Sequence, residues 1–144
     1  MAPGVELADL EDAVLAACRI EAEWPARIIA AVYAGIDFAI ANPEIATGFG
    51  SVLEGAAERA ARYERLIGRF AGFLQTQAPT EERLPGSTDT ALIGGIVGLV
   101  GDHIRLGRTD RLEELRPDLV LLILLPYLGF SEAKIWANRD GKSN

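Results

Sequence analysis

Residues 119–130 read LVLLILLPYLGF, without a single charge. A helix that is apolar on every side must be covered on every side. The chain has 144 residues, which is one domain's worth, so part of that cover is expected from a partner molecule. The stretch is the second of two apolar helices. The first runs over residues 90–106, ending on Arg105 and Gly107, both helix-stop signals. A short polar connection containing a turn of helix at 112–115 joins them. Pro117 starts the second helix and Gly129 closes it. Pro126 removes the bond to the carbonyl four residues back, which predicts a kink over 122–126.

Strand signals are scarce, and Ala, Leu, Glu and Arg dominate, so the class is all-α. There are 14 basic residues against 21 acidic ones, a net charge of -7, and no basic run. Nucleic-acid affinity comes mainly from Lys and Arg on phosphates, so neither DNA nor RNA is expected as a direct partner. The same charge disfavours an anionic membrane surface. Cys18 is the single cysteine, which rules out an intrachain disulfide and fits a reducing compartment. The first residues lack the basic and apolar regions of a signal peptide, and the run at 119–130 is short of the roughly 20 residues that span a bilayer. The expectation is a cytoplasmic protein without a membrane partner.

Residues 1–6 read as a disordered start, 7–137 as one helical domain and 138–144 as a disordered tail. Helix periodicity places Leu7, Leu10, Val14, Ala17 and Cys18 on one face, and Cys18 there reads as a small buried hydrophobe. Pro25 opens a helix over 26–41 whose one charge after Arg27 is Asp37. Asn42-Pro43 ends it, and Asn42 is placed to cap a short helix at 44–47. Residues 51–75 form a long amphipathic helix: Tyr63, Ile67, Phe70 and Leu74 share the apolar face, with Arg62, Arg65 and Arg69 opposite. Residues 78–87 are a loop, with Thr88 or Asp89 as the next cap. Ser131 caps a terminal turn at 132–137.

The order ALIGGIVGLVGDHIRLG, a charged connection, then LRPDLVLLILLPYLGFSEA resembles the last two core helices of TetR-family transcriptional regulators. The matching elements are Gly94-Gly95, the helix end from His103 to Gly107, and Pro126-Tyr127-Leu128-Gly129 followed by Glu132-Ala133. LADLEDAVLAAC is similar to the helix after that family's DNA-binding head, and WPARIIAAVYAGIDFAIANPEIA to the helix that follows, with its Asn-Pro end. The resemblance covers about residues 7–137 and rests on order and spacing. The family's N-terminal helix-turn-helix has no counterpart, so operator binding is not expected of this chain alone, whether it is a shortened chain or a naturally headless relative. The resemblance implies about six to seven helices. The last two long ones would form an intersubunit four-helix bundle in a homodimer, and interior helices would enclose a pocket for a small apolar or amphipathic effector.

Within that frame, Tyr33, Asp37, Tyr63, Ile67, Phe70, Ile96, Val100 and His103 are the candidate ligand contacts. Asp37 lies one helical turn from Tyr33 and, if buried, would orient a polar group of the ligand. The plainer reading puts it on a solvent strip with Arg27, Ala30, Ala34 and Ala41. His103 is either a pocket contact or a hydrogen-bonded histidine near a helix end. The candidate dimer residues are Gly94, Gly98, Gly101 and Arg105, a stripe that would admit a close backbone, together with Leu119, Leu122, Ile123, Pro126, Tyr127 and Phe130. Packing within the subunit is the alternative for the stripe. No Cys/His/carboxylate cluster suggests a metal, and nothing suggests a cofactor. No nucleophile elbow or phosphate loop suggests catalysis; an enzyme using Asp37 or His103 as acid-base would lack a paired group. A dimerisation module with a fully packed interior is the main rival.

Overall fold

The computed structural model describes residues 7–43, 56–79 and 84–141. Every regular element among them is helical. Among the described residues there are six α-helices of full length: α1 Leu7–Ile20, α2 Trp24–Ala41, α3 Ala56–Gln77, α4 Gly86–Arg105, α5 Arg116–Leu128 and α6 Phe130–Gly141, with 3-10 turns at Thr109–Arg111 and Glu113–Leu115. The short helix expected at 44–47, and Phe49, lie outside the described residues.

The helices pack as successive hairpins: α1 on α2, α3 on α4, and α5 on α6. α2 threads between them, touching α3 and α5 as well as α1. Its length and apolar composition alone would also allow it to cross a membrane. Here its residues Ile28, Ile29, Ile36 and Ala39 are buried in the core. The polar start of α2 is held by Arg27, whose Nε donates to the Glu21 carbonyl (3.0 Å) and Nη2 to that of Ala22 (3.1 Å). Nη1 reaches Gln77 Oε1 at the end of α3 (3.3 Å).

Several helix boundaries differ from those expected locally. α4 begins at Gly86 after Pro85, with no side-chain cap. Asp89 therefore lies inside the first turn, where it is 1% exposed. Asn42 closes α2: its backbone N–H and its Nδ2 both donate to the Phe38 carbonyl, at 2.8 and 3.2 Å. Ser131 lies within α6, which starts at Phe130 and runs to Gly141, past the Ala137 boundary read from sequence. The turn before it is made by Gly129 at φ +83°, a region side-chain-bearing residues rarely adopt, and Ala133 N–H bonds back to the Gly129 carbonyl (3.1 Å).

The core falls into two adjoining groups. One gathers Ile28, Ile67, Leu74, Ile93, Val120, Ile123, Leu124 and Tyr127 with Ala133 and Ala137 of α6. The other joins Ile36, Ala39, Val100 and Leu119 to Leu112, which anchors the connection between α4 and α5. The uncharged stretch of α5 after Asp118 is thus covered on one side by α2 and α6, leaving Leu122 and Leu125 about 40% exposed on the other.

Candidate functional site

Between α1, α2, α3 and α4 lies a partly open cavity of about 140 Å³, reached also by Ile123 of α5. Helix periodicity builds its walls. On α2, Ala31, Gly35 and Ala39 recur every four residues and so share a face; being small, they leave space. Phe70, Phe73 and Leu74 of α3 and Ile96, Val97 and Val100 of α4 stand opposite, with Leu10 and Val14 of α1 at one side. Each of the 18 described lining residues is apolar. A Cβ added at Gly35 would meet nothing within 4 Å. The lining residues all lie in helices, whose backbone groups bond along the helix.

Of the ligand contacts expected from sequence, Phe70, Ile96 and Val100 line this cavity. Ile67 is buried in the core beside it. The Tyr63 side chain lies outside the described residues. The polar candidates go elsewhere. Asp37 is exposed and forms an ion pair with Arg116 at the start of α5. The Arg116 guanidinium sits 4.7 Å above the Tyr33 ring, so Tyr33 and Asp37 are both engaged by the same cation. His103 is half-exposed and directs Nδ1 at the Leu99 carbonyl (3.0 Å), which requires that nitrogen to carry the proton. Asp37 is thus on the solvent strip, where an apolar helix places its one late charge to avoid burying it unpaired. The signal for Ala31 and Gly35 as cavity residues is their four-residue spacing with Ala39 on one face of α2.

The residues assigned to a dimer surface also divide. Leu119, Ile123 and Tyr127 are 1%, 3% and 9% exposed within the single chain; they belong to its own core and offer no surface to a partner. Their helix must bury one side against α2 and α6 before any other molecule arrives. In the glycine stripe, Gly101 is buried, and a Cβ on Gly94 would lie 3.7 Å from Ile67 Cδ1 of α3, so at Gly94 the stripe faces the chain's own long helix. Arg105 is exposed and paired with Asp102. What faces outward is Leu99 of α4 with Leu122, Leu125 and Pro126 of α5 and Phe130 of α6. The Leu99, Leu106 and Leu125 exposures were not foreseen, because a helical wheel shows faces but not which neighbour covers them.

Two buried groups lie apart from the cavity. Burial raises the Cys18 thiol above its ordinary value, with Arg27 opposing the rise; Cys18 is a core residue, 3% exposed. The Tyr127 hydroxyl donates to Asp89, while the Trp24 ring meets that of Tyr127 edge-on, centroids 5.5 Å apart. Among the described residues no three His, Cys, Asp or Glu side chains gather as metal ligands would. Compared with family models, curated proteins and solved structures, the chain matches none.

Proposed function

We propose that this chain is the effector-binding and homodimerisation domain of a TetR-like transcriptional regulator, taking a small apolar or amphipathic molecule into its interior. The observation that carries the reading is the cavity of about 140 Å³ among α1–α5: cores are ordinarily close-packed with few voids larger than a water, and ligand sites are concave and mostly apolar. The outward leucines of α4 and α5 support the second half of the reading, since a second copy of the same helices would cover Leu99, Leu122 and Leu125 in a two-fold arrangement. The four-helix bundle is the form this pairing takes by resemblance to the family.

The mechanism is a population shift: a ligand biases an equilibrium only through unequal affinity for its two states. α4 is the element through which this acts. Its residues Ile93, Ile96 and Val100 face the cavity, while Leu99 on the same helix faces outward. Filling the cavity favours one seating of α4 and so one geometry of the paired subunits. At net charge -7, the chain is not expected to hold nucleic-acid phosphates by itself.

Native mass spectrometry of the purified chain tests both halves. The expected result is a dimer, carrying a bound small molecule in a fraction of the population. A monomer in sedimentation at micromolar concentration removes the dimer. Specific DNA binding by this chain in a gel-shift titration would contradict its assignment as the sensing half. The rival dimerisation module requires a filled interior, which the cavity disfavours.

A further inference from the structure

Resting on that reading of the cavity, we infer that its occupant is a compact hydrocarbon of about the size of benzene or toluene, recognised by shape with no hydrogen bond. Three observations converge. The 18 described wall residues carry no polar side chain, so none of them can pair a hydroxyl, amine or carboxylate. The polar groups nearest in sequence are committed elsewhere: Asp37 to Arg116, Arg116 to the face of Tyr33, and His103 to the Leu99 carbonyl. The cavity is partly open, and its volume of about 140 Å³ is of the order of the ~150 Å³ of enclosed apolar cavities that accept benzene or xenon.

Size selection follows from α2. Gly35 sits between Ala31 and Ala39 on the cavity wall, opposite the bulkier α3 and α4 side chains. Because a Cβ at Gly35 meets nothing within 4 Å, a side chain there projects into free space and subtracts from the volume open to ligand. Gly35 is therefore the position that sets how large a molecule enters. Phe38, Phe70 and Phe73 supply aromatic surface around it, suited to the edge and face of a small arene.

Calorimetric titration with toluene and with phenol, on the full chain and on Gly35→Leu, tests the inference. Toluene is expected to bind saturably with a negative heat-capacity change, and phenol at least about tenfold more weakly, because its hydroxyl is buried without a partner. Gly35→Leu is expected to weaken toluene by about tenfold or more with helical content unchanged by circular dichroism. Should that variant not fold, Gly35→Ala gives a smaller loss in the same direction, and xenon binding followed by ¹²⁹Xe NMR reports the same volume. Phenol binding as tightly as toluene overturns the hydrocarbon class while leaving an effector site in place. Toluene affinity indifferent to both Gly35 variants places the site elsewhere and overturns the inference. An absence of saturable toluene binding also overturns it, whereas the wider effector reading stands or falls separately on a carried-over molecule in the native mass spectrum.

Discussion

The Tyr127 hydroxyl donates to the Asp89 carboxylate in the interior, tying the last turn of α5 to the first turn of α4. The two helices otherwise touch sparingly, since α4 packs along α3 and α5 along α2 and α6. Asp89 sits where the positive end of the α4 dipole favours a carboxylate. Its Oδ2 is buried with no hydrogen-bond partner among the described residues, so Tyr127 is the one side chain seen to pair with it.

Tyr127→Phe is therefore expected to destabilise the fold by about 1–3 kcal/mol, the cost of leaving a buried polar group unpaired, while keeping the ring packed against Trp24. Urea denaturation measures it. Adding Asp89→Ala should restore part of the loss, because the two residues form one unit and their effects are not additive. Strictly additive losses would show that the pair is not coupled.

Stability should fall at alkaline pH. Burial first, then the bond to Asp89 and its negative charge, push the Tyr127 phenol well above its ordinary 10.0. The folded state thus holds a proton that the unfolded state releases from about pH 10 upward. The contribution is fully present below that pH and is lost above it, with a slope of up to about 1.4 kcal/mol per pH unit for one such group. Cys18, raised from 9.0 by burial, adds a loss of the same sign beginning near pH 9. Denaturation midpoints from pH 8 to 11 should show the decline, and Tyr127→Phe should flatten its upper part.

Asp37→Asn is expected to change stability by less than about 1 kcal/mol, because the Asp37 side chain is 63% exposed and exposed ion pairs contribute little. It should leave toluene binding unaltered. Arg116→Ala should cost more, about 1–2 kcal/mol, through the lost stacking on Tyr33 and the lost packing of its stem. Equal losses in thermal melts of the two variants would show that the ion pair outweighs the stacking.

Two glycines should respond oppositely to alanine. Gly129 adopts φ 83°, ψ 164°, a region that is essentially glycine's alone, and Gly129→Ala should cost about 1–3 kcal/mol by strain. Gly95 lies exposed in the interior of α4 with open space around an added Cβ. Gly95→Ala should stabilise the single chain by up to about 1 kcal/mol through helix propensity. If instead it weakens the dimer in sedimentation, the Gly95 face is covered by the second copy.

Helix identities were legible from local chemistry: Pro25 near the start of α2, Gly107 after α4, Gly129 after α5, and the Ile67–Leu74 face of α3 all fall where the structure has them. Part of the cavity wall was legible too, through Phe70, Ile96 and Val100. The spacing that places residues on one helix face depends only on the 3.6-residue turn, which every sequence carries within itself.

Which faces meet was decided by the tertiary structure. The same apolar stripe is satisfied by any apolar neighbour, so local pattern could not tell that α4 would pack along α3, that Tyr127 would turn inward to Asp89, or that Arg116, 79 positions away, would pair with Asp37 on its solvent strip. Nor could it show that the small residues at 31, 35 and 39 would stand opposite α3 and α4 at a distance that leaves a void. Helix formation is set by neighbours in the chain; partner choice, the pairing of isolated charges and empty volume are set by side chains far apart in sequence that must fill the same space.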